Sequence, residues 1–332
     1  MNSAASRDRN DGTVDLFASF RPVNEMGDAF GGAFPDGFVP VSRWSSPKAE
    51  FFLFEEKPQG RRFVVKAGTN WTARDPEFVF QELLRLGTVV AELDVTVPKP
   101  LGWLADPPLV AMEAITGDQL FNRVITDRSH PAWADGLPGI LKLVEKCGHV
   151  LAAYHAAQPA PVDPAVAAAI RTDVRRAAVR GLVSPRVAAS RASGLVSARG
   201  FRFSPNDFLV AEDRLIVVDP PHLVKFDIVQ RDLSAFTFEV QKALRSSGEK
   251  REGSALADSI RESFVSAYVE GSAPRPDGNL DAWALYFYEL SRISGMIYNQ
   301  IQERKPGGAL STLAWALRKR AGLGLRGGRT PK

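Results

Sequence analysis

Along the first third of the chain, apolar residues come in short runs separated by polar or proline-glycine breaks. Phe38-Val39-Pro40-Val41 leads into a polar turn through Trp44-Ser45-Ser46-Pro47-Lys48. Phe51-Phe52-Leu53-Phe54 and Arg62-Phe63-Val64-Val65-Lys66 follow, divided by Pro58-Gln59-Gly60. Three such runs predict an antiparallel meander. Asp75-Pro76-Glu77 marks a helix start, with a capping acid and proline at the first helical position. That helix continues through Phe78, Gln81, Glu82 and Leu86 to Gly87. Pro98 to Trp103 reads as extended, and Leu109 to Ile115 as a further strand leading into Thr116-Gly117-Asp118.

Beyond residue 120 the apolar period lengthens to that of helices. Ile140 to Gln158 offers a stripe of Leu141, Val144, Val150, Leu151 and Tyr154. Residues 160–199, rich in alanine and arginine, predict short helices. Two short strands come next, Phe208 to Val210 and Leu215 to Val218, around a charged hairpin from Ala211 to Arg214. Helices at about 255–270, 279–303 and 309–320 complete the pattern. Strands with one helix, followed by a mostly helical remainder, make the fold class α+β.

With 332 residues, 45% of them hydrophobic, the chain can bury a substantial core. No run of eighteen or more apolar residues occurs, so no membrane-crossing helix is expected. The polar start, with Arg7, Asp8, Arg9 and Asp11, lacks the apolar centre of a signal peptide, and a cytoplasmic location is expected. Gly27, Gly31, Gly32 and Gly37 are not followed by Gly-Lys-Ser/Thr or by a helix pattern, so residues 1–35 read as a flexible leader rather than a phosphate loop. One cysteine, Cys147, excludes an internal disulfide and reads as a buried thiol. Four histidines and one cysteine give no zinc-ligand spacing, so a structural zinc site is not expected.

Net charge is +4, but the basic residues cluster. Eight arginines between Arg171 and Arg202 face one acid, Asp173, and Arg318, Lys319, Arg320, Arg326, Arg329 and Lys332 stand without any. Such stretches attract phosphate-bearing partners, nucleotides or an anionic membrane surface among them. A solvated helix face and a frayed tail are the plainer alternatives.

The richest chemistry lies in Phe203-Ser204-Pro205-Asn206-Asp207-Phe208-Leu209-Val210 and Leu215-Ile216-Val217-Val218-Asp219. A hairpin holds its strand ends at fixed distances, so Asp207 and Asp219 can face a common point. Paired carboxylates there suit a hard cation such as Mg²⁺. An ordinary surface hairpin with acidic ends accounts for the same residues.

This stretch resembles the catalytic and metal loops of the aminoglycoside phosphotransferase and choline kinase superfamily, small-molecule kinases with the protein-kinase fold. Their pattern is His-Gly-Asp-Phe-x-Pro-x-Asn, then apolar-Leu-Val, a hairpin and an apolar pair before Asp. Phe203, Pro205, Leu209 and Val210 match it; Gly200-Phe201-Arg202 stands in place of His-Gly-Asp, and Asp207 in place of the metal-binding Asn. The resemblance covers about residues 38–305 and implies a bilobal fold. Its sheet-rich N-lobe would span 36–116 and its helical C-lobe 117–316, with the catalytic and metal loops at 200–220 and a basic tail at 317–332.

It implies ATP and Mg²⁺ as cofactors, with Asp207 and Asp219 on the metal. Lys66 would grip the nucleotide's phosphates and Glu82 would ion-pair with that lysine. The backbone from Glu113 to Ile115 would hold adenine, and the turn at Ser45 and Ser46 would cover the phosphates. Leu151-Ala152-Ala153-Tyr154-His155 resembles the segment before the catalytic loop, with His155 structural. Arg231-Asp232-Leu233-Ser234 resembles the segment carrying the structural aspartate. Trp283, Tyr286, Tyr288 and Tyr298 are candidates for the acceptor pocket, although aromatics at helical spacing also build cores. Arg202, where the catalytic base belongs, cannot accept a proton. Three readings follow: a divergent kinase for an anionic hydroxyl-bearing acceptor, a pseudokinase with a regulatory or scaffolding role, or a protein held at an anionic membrane surface. Nucleotide is the expected partner; nucleic acid is not.

Overall fold

The computed structural model describes residues 38–45, 49–56, 60–115, 119–157, 172, 197–199, 203–211, 214–218, 226–247, 252–272 and 282–326. The chain divides into two compact units, the first holding the chain up to Gln81 together with Lys99–Ile115, the second Glu82–Pro98 and everything from Thr116 onward.

In the first unit, β1 (Phe38–Ser45), β2 (Ala49–Glu56), β3 (Arg62–Gly68), and later β5 (Pro100–Ala105) and β6 (Pro108–Glu113), form one antiparallel sheet ordered β1-β2-β3-β6-β5. One face buries Phe52, Phe54, Phe63, Val65, Leu109 and Ala111. The alternation expected of half-buried strands is plain in β2, where Phe52, Phe54 and Glu56 point inward. β1 runs farther than predicted. Trp44 and Ser45, read as turn, belong to the strand and pair with Phe51 and Glu50. Trp44 stacks on Phe51 with ring centroids 5.4 Å apart, and Arg43 meets Glu50 at 3.0 Å, so cross-strand pairs extend the ladder through polar sequence.

Helix α1 (Asp75–Val89) starts in the first unit and ends in the second. It begins at Asp75, as predicted, and the Asp75 carboxylate accepts from the backbone N–H and hydroxyl of Thr72, which fixes the turn ahead of the helix.

The second unit carries a four-stranded sheet ordered β4-β10-β9-β7, from β4 (Val95–Thr96), β7 (Gln119–Leu120), β9 (Phe208–Ala211) and β10 (Arg214–Val217). The short helix α2 (Phe121–Val124) follows β7, and β8 (Ser197–Arg199) pairs with β11 (Phe226–Ile228). Long helices supply the rest: α3 (Leu137–Ala156), α4 (Val229–Ser246), α5 (Glu252–Gly271), α6 (Ala282–Gln302) and α7 (Pro306–Arg326). α3 is central, burying Leu143 and Cys147 besides Val144, Val150, Leu151 and Tyr154, because α5 covers one side and β8 and β10 touch another. A helix enclosed this way loses the single stripe that periodicity detects. α7 continues beyond Ala316 to Arg326, so much of the segment read as a tail is helical. The α+β class predicted from the sequence is the class observed, a five-stranded antiparallel sheet in one unit and mostly helices in the other. No helix among the described residues is long and apolar enough to cross a membrane.

Candidate nucleotide and metal site

Lys66 lies in β3, paired across to Phe51 on one side and Val110 on the other, in the middle of the first unit's sheet. It is 6% exposed, and its ammonium lies 5.6 Å from the Trp71 ring centroid and 5.9 Å from that of Phe51. Ring faces of negative potential attract a cation at that distance. Gly68 makes the Trp71 position possible: a Cβ at 68 would lie 2.3 Å from the indole. Neither aromatic was singled out from the sequence, because cation–ring proximity depends on a neighbouring strand and on the turn after β3.

At the end of β6 the N–H of Glu113 donates to the Lys99 carbonyl at 2.8 Å, and that of Ala114 to the Arg62 carbonyl at 3.0 Å. Glu113 is exposed and Ile115 half-buried. Two of the three N–H groups of the 113–115 segment are thus spent on the sheet. Ser45 ends β1 as an exposed strand residue, whereas Ser46 lies outside the described residues.

Glu82 belongs to the second unit and is 1% exposed. One carboxylate oxygen accepts from the Tyr154 hydroxyl at 2.9 Å, and the other lies 3.3 Å from Arg85 Nε. Tyr154 was read only as core. A hydroxyl in an otherwise apolar helix stripe was the available signal, since buried tyrosine hydroxyls take a partner.

Asp207 ends a one-turn 3-10 helix, Pro205–Asp207, before β9. Its carboxylate accepts from the Ser204 N–H at 2.8 Å, while the Ser204 hydroxyl accepts from the Asn206 N–H at 3.2 Å. This reciprocal capping fixes the carboxylate at the mouth of the hairpin. The Asp207 carbonyl accepts from the Val218 N–H at 2.8 Å, extending the β9–β10 ladder to the residue before Asp219. Asp219 itself, and Arg202, lie outside the described residues. Among the described residues no group of three or more metal-ligating side chains occurs.

His155 is 2% exposed and fully engaged, with Nδ1 3.0 Å from the Tyr268 hydroxyl and Nε2 3.2 Å from Asp232. These bonds tie α3 to α5 and α4, the structural role expected for both His155 and Asp232. Tyr286 and Tyr288 are buried and Tyr298 is exposed; the side chain of Trp283 lies outside the described residues. Arg261 stacks 3.5 Å from the Tyr286 centroid, so that ring belongs to the helix packing.

No protein-family model matches the chain, and no curated protein does. Several solved structures are similar to it. A choline/ethanolamine kinase family protein from Mesorhizobium loti is 15% identical, with a TM-score of 0.49, covering 89% of this chain and 94% of that one. The aminoglycoside phosphotransferase APH(4)-Ia, a thermostable mutant in ternary complex with AMP-PNP and hygromycin B, is 16% identical with a TM-score of 0.49, over 93% and 99%. A choline kinase from Cryptosporidium parvum Iowa II is 11% identical with a TM-score of 0.48, over 87% and 91%. They are of the same kind as the family that residues 203–219 resemble.

Proposed function

We propose that the chain is a divergent phosphotransferase-type protein that binds ATP with Mg²⁺ and transfers phosphate to a small anionic hydroxyl-bearing acceptor. The observation that carries the reading is Lys66: a lysine buried at mid-sheet beside two aromatic rings, at the position where the resemblance puts the phosphate-gripping lysine. With the Glu113 and Ala114 N–H groups occupied, adenine falls to the Ile115 N–H and the carbonyls of that segment. Glu82, buried and bonded to Tyr154, is the acid that the resemblance pairs with this lysine.

Asp207 fits a metal-ligand role: it is a half-buried oxygen donor whose backbone is fixed by two hydrogen bonds. Asp219 would be its companion. Mg²⁺, when bound, supplies charge neutralisation for the phosphates. Arg202 favours a second reading. Placed where the catalytic base belongs, it would steer an anionic acceptor in a kinase, or leave a pseudokinase that binds nucleotide without turnover.

Calorimetry with ATP, with and without Mg²⁺, tests the site. Mg²⁺-dependent binding that weakens at least about tenfold in Lys66→Ala is expected; absence of binding in the unaltered chain would overturn the reading. Arg202→Asp separates the two forms, lowering phosphate transfer in a working kinase and creating some in a pseudokinase.

A further inference from the structure

Helix α7 presents two unlike faces. Ala309, Thr312, Trp315 and Ala316 are buried, and Lys319 reaches the buried Glu289 of α6 at 2.6 Å. On the other side Leu310, Leu313 and Leu317 are 68%, 38% and 54% exposed, at the spacing that sets them in one stripe. The last turns of α6 leave Tyr298 and Ile301 exposed as well, at 62% and 57%. Scattered exposed leucines need no explanation, but three in register on one helix do.

The charge of this part of the chain indicates what covers the stripe. From Arg304 to Lys332 the sequence carries eight basic residues and no acidic one, and only Lys319 of them is taken up by the buried Glu289. The nearest preceding acid, Glu303, is bonded to Lys305 at 2.7 Å. On the same helix, Ser311 and Trp315 meet Arg245 of α4, which lies 4.7 Å from the Trp315 ring centroid and donates to the Ser311 hydroxyl at 3.3 Å. Burial and the nearby Arg318 together push the Arg245 guanidinium below its ordinary value, so two cations repel each other beside α7. Such a pair is relieved by an anion.

We propose that α7 docks on an anionic lipid bilayer, its leucine stripe entering the boundary between headgroups and acyl chains while Arg318 and Arg245 meet lipid phosphates. A helix of this kind lies in the plane of the interface, with apolar burial and attraction to anionic lipid acting together. Long basic side chains lay their stems along the apolar layer and keep their charged heads at the phosphates. This is independent of nucleotide binding.

Co-sedimentation of the full chain with vesicles of phosphatidylcholine, or of phosphatidylcholine with phosphatidylserine, at low and high salt, tests it. Binding to the anionic vesicles alone, lost at high salt, is expected. Arg318→Glu should weaken it by at least about fivefold, the effect of one basic residue near the surface. The double variant Leu310→Ser/Leu317→Ser should weaken it further with little change in melting temperature, because both positions are exposed. No binding to anionic vesicles, or binding indifferent to these substitutions, would overturn the proposal. So would light scattering that shows a dimer which the leucine variant splits, since a second copy of the chain would then cover the stripe.

Discussion

Glu56 shows how a single side chain couples this fold to pH. Its residue is 2% exposed, and Arg61 bonds both carboxylate oxygens across the β2–β3 turn. The Arg61 hydrogen bond holds the carboxyl below the ordinary glutamate value of 4.5, with burial opposing it. A carboxyl depressed in the folded state adds stability that is complete above its unfolded value and fades as pH falls through the folded one. Glu56→Gln should therefore melt below the parent chain at pH 7. The gap should close as pH falls below 4.5, where the parent's own carboxyl protonates. A gap unchanged between pH 7 and pH 3 would show that the ion pair contributes nothing, as surface pairs with a mobile arginine (65% exposed here) often do. At this scale the sequence named Lys66, Glu82 and Asp207 as site residues but not Trp71, and it gave neither Tyr154 nor Ser204 the carboxylate that each of them bonds. Their roles exist only once a partner distant in the chain, or a particular turn, is in place.

Between elements, packing depends on features that local pattern does not encode. Gly148 lets α3 and α5 meet: a Cβ there would come within 2.6 Å of the Phe264 carbonyl oxygen and 2.8 Å of Ala267 Cβ. Gly148→Ala gains about 1 kcal/mol of helix propensity, yet the contact is with backbone, which cannot swing aside. A net loss of roughly 1–2 kcal/mol is expected from overpacking, read by chemical denaturation.

Farther along the bundle Glu289, wholly buried, accepts from Thr237 at 2.5 Å and faces Arg261 at 3.6 Å and Lys319 at 2.6 Å. α4, α5 and α7 thus all anchor on one carboxylate of α6. Burial pushes the Lys319 ammonium below its ordinary value, with Glu289 pulling it back. Glu289→Gln leaves two buried cations and should cost about 3 kcal/mol, whereas Lys319→Met should cost less, since Arg261 still neutralises the glutamate. Equal losses for the two variants would refute that ordering. None of this cluster was legible beforehand, because Arg261, Glu289 and Lys319 sit in three different helices.

For the whole molecule, the short apolar runs, the Asp75-Pro76 helix start and the change of period after residue 120 sufficed for the α+β class, since strand and helix periods are written within a few neighbouring residues. The β9–β10 hairpin was equally legible because its register is set by a short turn between alternating strands. Tertiary structure alone decided that β3 pairs with β6, that α1 passes from one unit to the other, and that α3 is enclosed. It decided equally that Tyr154 holds Glu82, and that one face of α7 is packed while its leucines stay outside. Those outcomes rest on contacts between residues tens of positions apart. No local period records such contacts; they follow from which surfaces remain to be buried once the elements have formed.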